Sequence, residues 1–517
     1  MAGSPDQTPP LRLGRPEDFS RVQSLLRGAR FDEEQVCRVL RIASLADLGS
    51  ARRDQVDHAA AGSTTLALLV RMFLVLESVA RAEVEGALAG PALGSLLALD
   101  LLRLELGTDS SEVYCAPVLL YPVAGLVIVS DRHENPDGSP FVAPPDVVFP
   151  AIFAGTLRFL RVIPKSPGDE ALDLCSGTGA AALVLSRHVR QVVASDLTAR
   201  ATHFARFNRL LNDCENVEVL QGDLYEPVAG RTFDRIVAHP PYVPALAASQ
   251  VFRDAGETGE TVLQRIVAGL PRHLRPGGTF VAMSAGWDTE EGPFEARIRR
   301  WLGDYAAEFD LILAQQEEMS PEQVARWLSD KSLGQEAGTQ RRFEQRFARA
   351  ALERNVYGAI VLRRVGPGAV SAEPVTVRPQ MSGLTDGSAL EWALRWHRWR
   401  AVKQAAGELE SALLRATVRL GTGLQVKKLQ VVEEGRLVQA SIVLESERPF
   451  LSATRIEAWM LPLAADFGAG RSASEVYERA RHNGTLPKGF EPGDFATLVA
   501  AMVERGYLEV DGSVFED

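Results

Sequence analysis

Over the first hundred residues, apolar side chains recur at three- and four-residue spacing. The stretches PEDFSRVQSLLRGA, DEEQVCRVLRI, STTLALLVRMFLVLESVA, ARAEVEGAL and PALGSLLALDLLRLE all show it, which predicts helices over residues ~15–105. The period then shortens. VYCAPVLLYPVAGLVIVSDR reads as two short strands around a Tyr-Pro break, and helices followed by a hairpin predict a winged-helix-like module. From about residue 150 the pattern becomes strand, turn, helix, repeated. ALDLC, QVVASD, VEVLQ, DRIVAH and TFVAMSA are strands separated by amphipathic helices. DLILAQQ and YGAIVLRR follow, with a helical stretch from SPEQVARWLSD to RRFEQRFARAALERN between them. Such alternation builds a mainly parallel, doubly wound sheet whose ligands sit at the carboxyl ends of the strands. Residues 366–389 are rich in Gly, Pro and Ser and read as a linker. Beyond them lie one long helix (LEWALRWHRWRAVKQAAGELESALLRATVRL), a hairpin and a helical end. The expected domains are therefore 1–145 (mainly helical, winged-helix-like), 146–366 (α/β), a 367–389 linker, and 390–517 (α+β).

Composition narrows the function classes. A chain of 517 residues is too long for one core, and 46% apolar with 24% charged residues is an ordinary globular mixture. The four cysteines, Cys37, Cys115, Cys175 and Cys214, are scattered without metal-ligand spacing. They read as reduced thiols, and no metal is expected. MAGSPDQTPP has neither a basic start nor an apolar core, so no signal peptide is expected. The most apolar windows are interrupted by charges or prolines and fall short of the ~20 residues of a membrane span. A cytoplasmic protein with no membrane association is the expectation. The formal net charge of −11 argues against general polyanion binding and leaves room for a local basic patch.

The chemistry concentrates at the strand ends. In Ala171–Ala182, a short apolar strand ends in Asp173, and the turn Cys175-Ser176-Gly177-Thr178-Gly179 opens a helix. Glycines there admit close approach of a ligand to the backbone, unpaired amides suit a carboxylate or phosphate, and Asp173 suits an ammonium. The turn alone is a weak signal, shared by several nucleotide-binding folds. Spacing strengthens it: 17 residues after Gly179 the next strand ends in Asp196, followed by Leu197, placed to accept ribose hydroxyls. The third strand ends in Gly222-Asp223-Leu224, and the fourth in His239-Pro240-Pro241-Tyr242. Four consecutive strand ends, each with a polar group, form a row along one sheet edge.

With these residues the chain resembles the class I S-adenosylmethionine-dependent methyltransferases over roughly residues 147–365. It is closest to the amino-methyltransferases with an Asn/Asp-Pro-Pro-Tyr motif, and among those to the release-factor glutamine methyltransferases. PDVVFPAIFAGTLRFL, FARFNRLLN and FRDAGETGETVLQRIVAGLPRHLRPGG carry the subgroup likeness. The resemblance implies a seven-stranded Rossmann-like core and S-adenosylmethionine as cofactor. Asp173, Gly177 and Gly179 would hold its methionine part, Asp196 the ribose and Asp223 the adenine. Cys175, Ser176, Thr178, Leu197 and Leu224 would complete the cofactor site, and His239, Pro240, Pro241 and Tyr242 would form the acceptor site. The expected reaction is N-methylation of a planar amide or amine on a macromolecule, either protein glutamine or an RNA base. A small-molecule methyltransferase and a non-catalytic cofactor-binding scaffold are the alternatives. The sequence sets no oligomeric state.

His239 stands where the family carries asparagine or aspartate. A neutral imidazole has one acceptor nitrogen, so His239 can replace the asparagine oxygen, take a proton near neutral pH, or serve a different nucleophile. Other candidates read more plainly. Trp392, Trp396 and Trp399 share one helix with Arg395, Arg398 and Arg400, a combination found in single-strand binders and more often in a core with a wet basic face. The arginines of TQRRFEQRFARAALER read as a solvated helix. Asp254, Glu257 and Glu260 either line the acceptor pocket or cap the following helix.

Overall fold

The computed structural model describes residues 10–50, 63–88, 90–107, 110–133, 143–246, 251–331, 338–366, 372–433, 435–468 and 470–515. Two compact units divide the chain, Met1–Leu274 with Ala282–Ala285, and Arg275–Val281 with Gly286–Asp517.

In the first unit the predicted helices begin where expected and several end sooner. The helix from Thr64 stops at Phe73 and the helix from Pro91 at Ala98, each followed by a left-handed residue, Leu76 (φ 57°) and Asp100 (φ 55°). Short strands at Val79–Ala80 and Arg103–Leu106 replace their expected tails. Strands β1 (Val118–Val123) and β2 (Leu126–Asp131) form an antiparallel hairpin. The expected Tyr-Pro break is corrected here: Tyr121 and Pro122 lie inside β1, and the chain reverses at Ala124-Gly125, both left-handed. Every β1 residue is buried, and a two-stranded ribbon has only edge strands, where proline is tolerated.

The α/β alternation follows. Strands β3 (Gly168–Leu174), β4 (Val189–Asp196), β5 (Val217–Gln221) and β6 (Phe233–Ala238) pair in parallel in the order β6-β3-β4-β5. Helix α1 (Pro16–Gly28) belongs to the N-terminal part of this unit; α2 (Ala180–Leu185) follows β3 and α3 (Ala199–Leu211) follows β4. The Phe19 ring of α1 meets Phe207 of α3 edge-on at 5.1 Å, and Gln23 donates to the Leu211 carbonyl at 3.0 Å. Helix α4 (Thr261–His273) leads into β7 (Leu274–Thr289), whose residues 282–285 count with this unit.

In the second unit β7 neighbours β9 (Leu352–Arg364), which is antiparallel to β8 (Phe309–Met319). All seven expected strands are present. An eighth, β10 (Thr376–Val377), pairs parallel with β8 and lies in the segment read as a linker, where Arg299 donates to the Val375 carbonyl at 2.6 Å. These strands make a mixed α/β sheet. The long C-terminal helix is in fact two. Helix α5 (Gly387–Ala405) ends before Gly407 (φ 72°), and a second helix covers Leu409–Arg415. On α5, Trp396 and Trp399 are buried in a core with Phe467, Tyr477 and Phe495, while Trp392 packs against it. The tryptophan stripe is a packing element. In the helix Thr339–Arg349, Phe343 and Phe347 are buried while Arg341, Arg342 and Arg349 are exposed, as for a solvated helix. Among the described residues no helix is long and apolar enough to cross a membrane, and no cluster of three metal-ligating side chains occurs.

Candidate active site

The carboxyl ends of β3, β4, β5 and β6 open on one cavity of about 690 Å³. Asp173, Cys175, Ser176, Thr178, Asp196, Leu197, Asp223, Leu224, His239, Pro240, Pro241 and Tyr242 all line it. Gly177 and Gly179 belong to the same turn without lining the cavity.

Local backbone conformation explains the turn. Cys175, Gly177 and Gly179 have φ of 56°, 53° and 78°. A β-carbon on Gly179 would sit 3.1 Å from the Ala205 β-carbon, so glycine lets the turn pack against α3. One on Gly177 would meet nothing within 4 Å. Gly177 N–H donates to Asp196 Oδ2 at 2.9 Å, and Thr198 N–H to Oδ1 at 3.1 Å, so two adjacent turns fix this carboxylate. Asp173 Oδ2 accepts the Ala182 amide at 3.0 Å. Burial pushes the Asp173 carboxyl up to about 8, helped by the nearby Asp196 charge; burial raises Asp196 as well. Ser176 Oγ is buried without a hydrogen-bond partner.

Asp223 has a partner that sequence reasoning missed. Arg265, on α4, donates to its Oδ2 at 2.7 Å and lines the same cavity. Leu197 is 52% exposed, an apolar surface beside the carboxylates.

At the end of β6, the His239 ring lies 5.2 Å from Phe159 and 6.0 Å from Tyr242, at 35° and 23°. The residue is half-buried, and its Nε2 is buried without a partner. Burial pushes the imidazole down to about 4. Burial disfavours the charged ring, which weighs against His239 taking a proton near neutral pH.

Backbone hydrogen bonds make a rim around Tyr242. Val243 N–H donates to the Arg253 carbonyl at 3.0 Å, Ala255 N–H to that of Val243 at 3.1 Å, and Val251 N–H to that of Pro145 at 3.1 Å. Gly259 (φ 84°) closes in from behind, where a β-carbon would lie 2.3 Å from the Tyr242 carbonyl oxygen. Asp254 lines the cavity; Glu257 is exposed, and Glu260 is buried at the N-cap position of α4 without a side-chain cap bond.

Three further residues were not singled out from sequence. Asp131, at the end of β2, takes a buried bidentate pair from Arg200 of α3 at 2.7 and 2.5 Å, and accepts the Val148 amide at 2.8 Å. Asn208 of α3 donates to the carbonyls of Thr178 and Val129, both at 2.9 Å, and accepts Val129 N–H at 2.8 Å. A signal existed for Asn208: FARFNRLLN sets it one helical turn past Phe204, on the buried face, where an amide must find partners.

Comparison with known proteins agrees with this geometry. The methyltransferase small domain family model matches residues 150–287. The release factor glutamine methyltransferase of Xylella fastidiosa is 37% identical over 128 residues, covering 22% of this chain and 46% of that protein. The ribosomal protein uL3 glutamine methyltransferase of Bradyrhizobium diazoefficiens is 30% identical over 148 residues, 26% of this chain and 46% of the relative. The chain thus spans about half the length of these curated relatives. Among solved structures, a ribosomal protein L11 methylase from Lactobacillus delbrueckii subsp. bulgaricus aligns at 15% identity and a TM-score of 0.24, covering 41% of this chain and 77% of that one. A score that low carries no weight. The family match and the relatives show residues 150–287 of this chain to be similar to the methyltransferase small domain and to release-factor and ribosomal-protein glutamine methyltransferases.

Proposed function

We propose that the protein methylates the side-chain amide nitrogen of a glutamine in another protein, using S-adenosylmethionine. The observation that supports this most is the gathering of four successive strand ends in one cavity. The residues present suit the cofactor. A volume of about 690 Å³ is within the ~300–1,000 Å³ usual for ligand sites. Ser176 Oγ awaits a partner, and the space beside Gly177 is open. Asp173 would pair with the cofactor's ammonium, whose charge would relieve its raised pKa. Asp196, aimed by two backbone amides, would accept the ribose hydroxyls. Asp223, steadied by Arg265, would accept the adenine amine, with Leu197 against the base.

When bound, S-adenosylmethionine supplies a methyl group activated on a sulfonium sulfur. The chain's own task is to aim the acceptor. Neutral His239 and the Pro240 carbonyl would orient the acceptor NH₂, and Tyr242 would pack against its flat face. Positioning of this kind supplies several kcal/mol of rate enhancement. Neutral His239 presents an acceptor nitrogen, so its role in this reading is to orient the NH₂. The names of the relatives favour protein over RNA as the acceptor, and lend no support to a small-molecule substrate or an inactive scaffold. The N-terminal helices and hairpin, read as a winged-helix-like module, and the α+β segment 390–517 would help dock that protein in the cytoplasm.

Calorimetric titration tests the cofactor site. Micromolar binding of S-adenosylmethionine to wild type, weakened roughly 50-fold or more in Asp196→Ala, is expected from the loss of charged hydrogen bonds. A labelled-methyl assay on protein and RNA fractions, with His239→Asn beside wild type, then tests the acceptor. Label confined to RNA would defeat the glutamine reading.

A further inference from the structure

The cavity wall next to the acceptor motif carries an aromatic group that has no part in the cofactor site proposed above. Phe149 forms near-parallel pairs with Phe153 at 4.5 Å and with Phe252 at 4.8 Å. All three rings line the cavity. Phe149 nevertheless keeps 38% of its surface exposed, and Val251, next to Phe252, keeps 41%. A phenyl ring already stacked and still open offers a ready surface for another apolar group.

This wall is built, not loose. Val148 N–H is held by Asp131, Ala151 N–H donates to Tyr121 Oη at 2.7 Å, and Val251 N–H is bonded to Pro145. The same hydrogen-bonded rim runs on through Arg253 to Val243, directly beside Tyr242. A substrate segment that brings its amide to His239 and Tyr242 therefore lies along the stack. Charge on the rim points to the kind of segment. Asp146 and Asp254 outnumber Arg253 there, so the mouth has no surplus positive charge to neutralise phosphates.

We propose that the Phe149 wall is a specificity subsite for a ring-bearing side chain of the acceptor polypeptide, one that flanks the methylated glutamine. It rests on the reading of the site as a protein-amide methyltransferase. No covalent step is added; the subsite selects which glutamine is presented.

The test uses the full chain, labelled S-adenosylmethionine and paired peptides that differ in one residue beside a single glutamine, glycine against phenylalanine. Burying one phenyl ring predicts a kcat/KM about 10-fold or more higher for the phenylalanine peptide. In Phe149→Ser that preference should fall below about threefold, with affinity for S-adenosylmethionine unchanged. Phe149→Leu, which keeps apolar bulk in the wall, should fall between and guards against a folding defect in the serine variant. Equal rates on both wild-type peptides, or a preference that survives Phe149→Ser, would overturn the proposal. Should wild type bind the cofactor and methylate neither peptide, the glutamine reading fails, and a second arm still decides the subsite. N-acetylphenylalaninamide is titrated into wild type and Phe149→Ser, each saturated with S-adenosylhomocysteine. Saturable binding lost in the variant upholds the subsite, and no binding to wild type removes it.

Discussion

On one side of the cavity, the carboxyl ends of β3, β4 and β5 supply Asp173, Asp196 and Asp223, the first two within their strands and the third two residues past its own. On the other, segments 145–153, 240–245 and 251–259 come together through backbone hydrogen bonds, and the side chains they turn to the cavity include four aromatic rings and four prolines. The first side is written into local spacing: a parallel sheet delivers successive strand ends to one edge, whatever else the chain does. The second exists only after folding, because no short stretch of sequence holds it. The electrostatics differ too. Burial raises Asp173 and Asp196 on the first side, whereas on the second it disfavours the charged form of His239.

The two sides meet at Asp131, and removing it is the most severe way to test their independence. Asp131→Ala would leave Arg200 buried without its carboxylate and free the Val148 amide. A loss of ~3–5 kcal/mol in urea unfolding is expected. Turnover lost at full stability would instead mean that Asp131 serves the acceptor side alone.

A milder probe separates the sides by pH. Without ligand, Asp173 holds its proton up to about pH 8. A bound ammonium favours the carboxylate, so binding releases that proton. Affinity for S-adenosylmethionine should then rise up to about tenfold per pH unit towards pH 8. Calorimetry in two buffers of different ionisation enthalpy would count the proton, and Asp173→Asn should flatten the profile. The acceptor KM should show no matching step, because His239 titrates near 4. A histidine step between pH 6 and 7 would show that the ring is more solvated than the cavity implies.

The smallest effect belongs to Cys175. Its left-handed φ of 56° costs a non-glycine residue ~1–2 kcal/mol, and glycine there would give back ~0.5–1 kcal/mol in unfolded-state entropy. Cys175→Gly should therefore raise stability by about 0.5 kcal/mol in urea unfolding. A destabilised variant would mean that the thiol packs better than the strained backbone suggests.

Seven of the eight strands of the sheet were legible because each is an apolar run bounded by turn residues, and the row of polar groups followed from their ends. What escaped did so for physical reasons. Pro122 looked like a break because proline usually ends strands, yet an edge strand forgives it. Gly407 divided a helix whose apolar period ran on past it. β10 hid in a Gly- and Pro-rich stretch, since two residues of parallel pairing leave no period to read. The acceptor wall escaped because Phe149 and Phe252 are about a hundred residues apart in sequence.

One contact carries a consequence beyond catalysis. With Gly259 pressed against the Tyr242 carbonyl, any lineage that acquired a side chain at this position would have had to move its tyrosine first or lose this loop shape. Position 259 is thus a one-letter historical marker: among descendants of this chain, any residue other than glycine there dates a remodelling of the acceptor loop.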